Sequence, residues 1–209
     1  MNTNKSYTEG LVSMEIDERI RDLRANALSR HIPVMDGQTL QYLLVTLAAV
    51  RPKKILEIGT AVGLSAAAML TACPDARVTT IEIDEERYME AKKNLSDLGL
   101  LSRATCHLGD AGEILGMMDA KYDFVFLDGP KAQYPRYMSE LKRMLDKGGV
   151  VFADDVLLFG WVSGQTPTPE KHTLFVKKMR EYLEDLTKDK DFVTSVIDVG
   201  DGVALSVKR

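Results

Sequence analysis

The sequence predicts an α/β protein with a seven-stranded, mostly parallel sheet, an antiparallel last strand and helices on both faces. One observation is that short apolar runs alternate with stretches of helical spacing from residue 53 onwards. The other is Asp201-Gly202, which lies between two alternating runs at the C-terminus and predicts a β-hairpin. A length of 209 residues suits one domain. We divide it into an N-terminal helical cover at residues 1–50 and a core at residues 53–209.

Two helices are predicted before the sheet. Residues 11–30 carry apolar side chains at helical spacing with a charged opposite face. Pro33 ends this pattern, because the residue before a proline avoids the helical region. Asp36 is the expected N-cap of the second helix, which should end before Pro52.

The core alternates strands and helices and then ends in the hairpin. Strands are predicted at 53–59, 77–84, 105–110, 122–128 and 148–154, with helices at 64–72, 85–100, 111–118, 134–145 and 173–187. The hairpin strands are 191–200 and 202–209. Since the sheet of a dinucleotide dehydrogenase is all parallel, this ending favours the sheet of class I methyltransferases.

Composition and charge exclude several classes of protein. Acids outnumber bases 31 to 27, for a formal charge of −4, which excludes a strongly basic nucleic-acid binder but not a local basic face. Cys73 and Cys106 are too few for a disulfide scaffold, and two free thiols are simpler than one bridge. The N-terminus is polar, and no apolar run reaches the ~18 residues of a membrane span. We therefore expect a cytoplasmic protein.

A glycine-containing loop at residues 57–63, from Glu57 through Gly59 to Gly63, joins the first strand to its helix. Glycines let the backbone approach a ligand, and the following helix offers unpaired N–H groups. The loop has neither the Gly-x-Gly-x-x-Gly order of a pyrophosphate site nor the Gly-Lys-Ser/Thr of a P-loop. It suits a ligand without phosphates, such as the methionine part of S-adenosylmethionine. The alternative is a tight turn that needs glycine.

Two acids follow at the ends of the next strands. Glu82 ends the second strand, where it is expected to accept hydrogen bonds from both ribose hydroxyls. Asp110 ends the third strand and is a candidate acceptor for an adenine amino group. The alternatives are a solvated acid for Glu82 and a helix cap for Asp110. Together with the glycine loop, these acids predict an adenosine-type ligand.

Three aspartates end the fourth and fifth strands. Asp128 follows one, and the adjacent pair Asp154 and Asp155 follows the other. Because neighbouring strands lie ~4.8 Å apart, these carboxylates are expected to converge on one ion. An all-oxygen set suits a hard cation such as Mg²⁺. The alternative is that the pair caps the next segment, but two adjacent acids would repel each other without a cation.

Lys131 lies close to Asp128 in the sequence and is a candidate general base. Beside a metal ion and a sulfonium group, the pKa of its amine is expected to fall. The alternative is an ordinary surface lysine.

The sequence resembles the metal-dependent O-methyltransferases of the catechol and caffeoyl-CoA type. The resemblance is carried by IPVM (32–35), LEIGTAVGLS (56–65), TIEID (80–84), GDA (109–111), FLD (126–128), Lys131 with Tyr134, and ADDV (153–156). It implies a Rossmann-like class I methyltransferase fold, S-adenosylmethionine as methyl donor, Mg²⁺ and a homodimer.

The resemblance also implies roles for individual residues. Those that would line the methyl donor site are Met35, Ser65, Glu82, Ala111 and Asp128. Asp128, Asp154 and Asp155 would hold Mg²⁺, and Lys131 would be the base. Many relatives have Asn where this chain has Asp155, so the metal site carries an additional negative charge here.

Three segments, 153–157, 171–182 and 199–202, look most like a bacterial branch that methylates 5-hydroxyuridine at the wobble position of tRNA. The 5-hydroxyl and 4-carbonyl of this base are vicinal oxygens, as in a catechol, and can chelate one Mg²⁺. Candidate RNA contacts are Lys171, His172, Lys177, Lys178 and Arg180, with Arg19, Arg21, Arg24 and Arg30 from the first helix. On charge alone, a solvated helix face is the better interpretation of these residues.

Alternatives to a tRNA methyltransferase remain. One is O-methylation of small catechols, and another is a non-catalytic nucleoside-binding module. Phe159 and Trp161 follow the aspartate pair and are either stacking residues for a flat substrate or core residues.

Overall fold

The computed structural model describes residues 7–12 and 16–209. Parts of the predicted N-terminal cover and of the helix predicted at 11–30 fall on residues 1–6 and 13–15, which lie outside the described residues.

Within residues 16–53, two helices precede the sheet. Helix α1 is Glu18–Ser29 and helix α2 is Gly37–Val50. The first begins later than predicted, because the carboxylate of Asp17 accepts the N–H of Arg19 and caps the helix there. The second begins as predicted, with Asp36 accepting the N–H of Gln38.

The core is a seven-stranded sheet in the order β3-β2-β1-β4-β5-β7-β6. The strands are β1 Lys54–Ile58, β2 Arg77–Glu82, β3 Ala104–Leu108, β4 Tyr122–Leu127, β5 Leu145–Ala153, β6 Phe192–Ile197 and β7 Val203–Lys208. The first five are parallel, and β7 runs antiparallel between β5 and β6. This arrangement confirms the fold predicted from the sequence.

Helices connect the strands close to their predicted positions. They are α3 Leu64–Ala72, α4 Glu85–Asp97, α5 Ala111–Met117, α6 Tyr134–Met144 and α7 Thr173–Lys188, with 3-10 turns at Leu101–Arg103, Lys131–Gln133 and Glu170–His172. Helix α4 ends before the predicted residue 100, because Gly99 adopts a φ of 72° that stops a right-handed helix.

Helices cover both faces of the sheet. Along β4, Phe124 and Phe126 belong to the hydrophobic cluster shared with α1, α2 and α3. Val125 and Leu127 belong to the opposite cluster, shared with α5, α6 and α7. This alternation is the side-chain period of a strand that is buried on both faces. Because helices cover both faces, a ligand site is expected at the carboxyl edge of the sheet.

The hairpin supports the segment that follows β5. The carbonyl of Asp201 accepts the N–H of Leu157 at 2.8 Å, and the carbonyl of Gly202 accepts the N–H of Val156 at 2.9 Å. The turn of the hairpin therefore fixes the backbone directly after the predicted aspartate pair.

Both cysteines are free, with Cys73 buried and Cys106 half-buried, as the sequence predicted. Within residues 7–12 and 16–209, no helix has the length and apolar character needed to cross a membrane.

Candidate active site

A cleft of about 500 Å³ opens at the carboxyl edge of the sheet. Five of the predicted site residues line it, namely Met35, Gly59, Glu82, Asp128 and Asp155. Ser65 lines a small adjoining pocket that shares Met35, Gly59 and Asp128. The structure therefore brings three predicted features to one cleft, namely the glycine-containing loop, the acid expected to bind ribose (Glu82) and two of the three aspartates.

Gly59 is where the loop approaches β4 most closely. Its φ is 96°, and a Cβ there would collide with the carbonyl oxygen of Asp128. The position requires glycine both for its backbone conformation and for space. Gly63 differs, because it begins α3 with a φ of 82° and packs against Ala91 of α4. It is not among the residues that line the cleft.

Glu82 is built into the wall of the cleft. Oε2 of its carboxylate accepts the N–H of Ala61 at 2.8 Å, and Oε1 accepts the N–H groups of Ile83 and Asp84, each at 2.9 Å. These bonds hold a nearly buried carboxylate at the cleft and occupy both lone-pair sites of Oε1 and one of Oε2. Oε2 therefore keeps a site for a ligand hydroxyl.

Glu57 lies beneath the loop rather than in the cleft. Oε2 accepts the hydroxyl of Thr80 at 2.5 Å, and Oε1 has no hydrogen-bond partner. Thr80 in turn contacts the hydroxyl of Thr60 in the loop. Burial raises the pKa of Glu57 to about 7, partly offset by the hydroxyls of Ser65 and Thr80. A buried carboxylate oxygen without a hydrogen-bond partner indicates that another polar group binds here, such as an amine of a bound ligand or a water molecule.

Asp110 serves as a helix cap. Its Oδ1 accepts the N–H of Glu113 at 3.0 Å and lies 3.5 Å from the guanidinium of Arg136. Neither Asp110 nor the buried Ala111 that follows it is among the residues that line the cleft. The contact of these two residues with an adenine ring stays a prediction.

The aspartates and Lys131 form a compact charged group. Nζ of Lys131 lies 2.5 Å from Oδ1 of Asp128 and 3.5 Å from Oδ2 of Asp155. Asp154 is 1% exposed, and its Oδ1 accepts the N–H of Asp155 at 2.7 Å. The hydroxyl of Tyr134 donates to the carbonyl of Leu127 at 2.9 Å and so ties the 3-10 turn of Lys131 to the end of β4.

Burial and neighbouring charges raise the pKa values of two acids in this group, Asp154 and Asp128. Burial, followed by the charges of Asp128 and Asp155, raises the pKa of Asp154 well above its ordinary value. Burial likewise raises the pKa of Asp128, although Lys131 opposes this effect. A cation that approaches these carboxylates stabilises their ionised form.

The fall in the pKa of Lys131 beside a metal ion and a sulfonium group stays a prediction. Burial by itself lowers this pKa, but Tyr134 and the carboxylates of Asp128, Asp155 and Asp154 raise it well above the ordinary lysine value. The ammonium is therefore a counter-ion of the aspartates.

The donor chemistry of the three aspartates fits a hard divalent cation. All the donors are carboxylate oxygens. Burial, together with neighbouring carboxylates, raises the pKa values of Asp128 and Asp154. Within the described part of the chain, however, no group of three or more Asp, Glu, His or Cys side chains is arranged around a common point. The ammonium of Lys131 lies between Asp128 and Asp155 instead.

Most basic side chains proposed for RNA have partners within the protein. Arg19 pairs with Asp17, Arg30 with Glu90 and Lys177 with Glu181, and Arg24 donates to the carbonyl of Met35. Arg180 donates from Nε to the carbonyl of Val162 at 2.8 Å and from Nη2 to that of Trp161 at 3.1 Å.

The structure adds residues that sequence reasoning did not place in the site. Arg87 and Asp201 line the cleft, and so does Phe159, which the sequence left as either a stacking or a core residue. The Asp-Gly turn signalled a hairpin but not that its aspartate reaches the cleft. No sequence signal marked Arg180 as a support for the loop after β5.

Known proteins resemble this chain over nearly its full length. A family model described as "O-methyltransferase" matches residues 11–209. The caffeoyl-CoA O-methyltransferase of Stellaria longipes is 29% identical over 202 residues, covering 89% of this chain and 81% of its own.

Two solved structures support the same relationship. A Staphylococcus aureus protein provisionally named a caffeoyl-CoA O-methyltransferase has a TM-score of 0.89 at 32% identity, with 99% of each chain covered. The O-methyltransferase TomG of Streptomyces achromogenes, solved in complex with S-adenosylmethionine, has a TM-score of 0.82 at 26% identity, with 99% of this chain and 96% of its own covered.

Proposed function

Because this chain belongs to the O-methyltransferase family and is an S-adenosylmethionine-dependent enzyme, we propose that it methylates one of two vicinal oxygens chelated by a divalent cation. The observation that carries this proposal is the group of Lys131, Asp128 and Asp155, in which the two aspartates line the same cleft as Glu82. Membership of this family sets aside the non-catalytic nucleoside-binding module.

The donor half of the cleft follows from the loop and the acids around it. Gly59 lets the backbone pass close to a ligand, and Glu82 offers the remaining site of Oε2 to a ribose hydroxyl. Met35 and Ser65 contribute the remaining wall. Glu57 supplies a buried carboxylate below the loop, where it favours a cationic group on the donor.

The acceptor half is formed by the aspartates and Lys131. Asp128, Asp154 and Asp155 would hold Mg²⁺, which when bound supplies charge stabilisation and lowers the pKa of an acceptor hydroxyl. Lys131 would then no longer be the only counter-ion of Asp128 and Asp155, so its proton would be held less tightly. In that state its amine can accept the hydroxyl proton at Nζ.

For the substrate, we propose 5-hydroxyuridine at the wobble position of tRNA, giving 5-methoxyuridine in the cytoplasm. The resemblance of residues 153–157, 171–182 and 199–202 to the tRNA-modifying branch supports this choice. Arg21 on α1 and Lys171 and Lys178 beside and on α7 are exposed and available to a polyanion.

A small catechol is the second candidate. Asp36, Asp155 and Asp201 line the cleft, and most basic side chains of α1 and α7 are paired within the protein. Both features oppose the approach of a phosphate backbone more than that of a small diphenol.

The two substrates are separated by one assay. The purified protein is incubated with Mg²⁺, methyl-labelled donor and either catechol or tRNA from cells that lack the protein. Label in 5-methoxyuridine supports the tRNA proposal, and label only in catechol supports the second candidate. If neither substrate is methylated, the proposal of vicinal oxygens fails.

A further inference from the structure

We propose that Arg180, together with the stacked rings of Trp161 and His172, positions Phe159 so that the cleft selects flat aromatic acceptors. In this proposal Arg180 is a positioning residue, which acts on the acceptor only through the loop at residues 156–166. The inference deepens the proposed function and rests on it.

Phe159 is an exposed aromatic residue held in an unusual backbone conformation. Its side chain is 62% exposed and lines the cleft together with Asp128 and Asp155. Its φ is 54°, and Leu158 beside it has a φ of 48°. Consecutive left-handed residues without glycine cost free energy and persist only where the surroundings enforce them. Neighbouring groups must therefore hold this part of the loop, and with it the ring of Phe159, in place.

A row of rings supports Phe159 from behind. The rings of Phe159 and Trp161 have centroids 5.1 Å apart, and Trp161 stacks on His172 at 5.0 Å with planes 19° apart. His172 meets the ring of Phe175 edge-on at 6.4 Å. The row thus joins the cleft to the start of α7, and it limits the directions in which Phe159 can move.

Arg180 fixes the backbone of the same loop. Its guanidinium donates to the carbonyls of Val162 and Trp161 from the third turn of α7. On the other side of the loop, the carbonyl of Asp201 accepts the N–H of Leu157. The loop is thereby held at both ends, and a planar fork on two carbonyls is a geometry that lysine cannot reproduce.

A fixed exposed ring offers its face to a flat aromatic acceptor. Stacking depends on the π-face of the ligand, so it favours a catechol or a pyrimidine over a non-aromatic enediol with the same oxygen pair. The selection is separate from metal chelation, which both kinds of ligand share.

The test uses Trp161 as its own reporter, because it is the only tryptophan of the chain. Catechol and ascorbate are titrated separately into protein saturated with S-adenosylhomocysteine and Mg²⁺, and binding is followed by tryptophan fluorescence. Affinity for S-adenosylhomocysteine is measured by calorimetry. Neither readout depends on turnover, so a failure of the proposed methyl transfer is distinguishable from a failure of this inference.

The variants separate positioning from folding. Phe159→Ala is expected to weaken catechol binding by about tenfold, the size of one aromatic stack, and Phe159→Tyr should restore it. Arg180→Gln and His172→Gln should weaken catechol binding in the same direction. All should leave binding of ascorbate and S-adenosylhomocysteine within about twofold. Asp185→Asn, at an exposed position of the same helix, is the matched control and should have no effect.

Three results would overturn the proposal. One is that catechol leaves the fluorescence of wild-type Trp161 unchanged. Another is that Arg180→Gln and His172→Gln both bind catechol as the wild type does. The third is that these variants weaken catechol, ascorbate and S-adenosylhomocysteine equally, which is the result of a general loss of structure.

Discussion

The ammonium nitrogen of Lys131 lies 2.5 Å from Oδ1 of Asp128. The two residues are three positions apart, and the 3-10 turn between them is tied to β4 by the hydroxyl of Tyr134. This pair neutralises part of the negative charge of the aspartate group. A residue that acts as counter-ion in one state and as base in another needs a second cation to change roles.

The first prediction concerns this change of role at Lys131. Lys131→Arg keeps a positive charge next to Asp128 but cannot lose its proton at neutral pH. We expect the methyl-transfer rate to fall by about 10²–10⁴-fold, the usual contribution of a general base. The binding constant of S-adenosylhomocysteine, measured by calorimetry, should stay at the wild-type value.

Lys131→Met is the companion variant, because it removes the charge as well as the base. Its rate should be as low as that of Lys131→Arg, whereas its melting temperature should differ. A Lys131→Arg enzyme with wild-type turnover would show that Lys131 is only a counter-ion.

The second prediction tests the close approach of the glycine loop to β4. Gly59→Ala places a Cβ against the carbonyl of Asp128, so unfolding free energy should fall by roughly 2–4 kcal/mol. Gly99→Ala is the matched control, since its φ is 72° and nothing lies within 4 Å of the added Cβ. It should cost only about 1 kcal/mol. If chemical denaturation showed equal losses of unfolding free energy for the two variants, backbone strain alone would account for both losses.

The third prediction is a pH dependence of stability at Glu57. The pKa of this carboxyl is about 7 in the folded protein against an ordinary value of 4.5. Its contribution to stability is therefore complete below the ordinary value and is lost as the pH rises through about 7. The shift corresponds to about 3 kcal/mol at 1.36 kcal/mol per pH unit.

Glu57→Gln removes the titratable carboxyl group and keeps a side chain of nearly the same size. Thermal unfolding of both proteins, followed from about pH 4.5 to about pH 7, should show a melting temperature that falls more steeply with pH in the wild type. Parallel curves would contradict the assignment of a proton to buried Glu57.

The fourth prediction addresses donor recognition at Glu82. Glu82→Gln replaces one carboxylate oxygen, which accepts backbone N–H bonds, with an amide NH₂ group, which can only donate. We expect the affinity for S-adenosylhomocysteine to drop by about 10–100-fold, the cost of one or two charged hydrogen bonds. Glu85→Gln, at an exposed position just beyond the same strand, serves as the control and should bind normally.

Much of the fold was predictable because it depends on local patterns. The apolar runs that became β1 to β5 are short and end in glycine or acid, and the Asp-Gly hairpin fixed the direction of β7. The start of α1 was not predictable from apolar spacing. Spacing does not distinguish Asp17 as a cap from the other polar residues of that stretch.

The site was predictable only where the strand ends determine position. Glu82, Asp128 and Asp155 reach the cleft because parallel strands end at one edge. Asp110 also ends a strand, and its carboxylate caps α5 through a local hydrogen bond from the N–H of Glu113, which is the alternative that the sequence left open. The raised pKa of Lys131 depends in part on Asp154 and Asp155, whose distance from Lys131 only the folded chain determines.

Metal dependence of methyl transfer tests the central claim most directly. Turnover of catechol and of 5-hydroxyuridine tRNA is measured with Mg²⁺, with EDTA, and with Mg²⁺ restored after EDTA, for the wild type and for Asp154→Asn. We predict that EDTA abolishes transfer to the better substrate, that Mg²⁺ restores it, and that Asp154→Asn responds weakly to Mg²⁺. Equal turnover in EDTA and in Mg²⁺ would contradict a cation site at Asp128, Asp154 and Asp155.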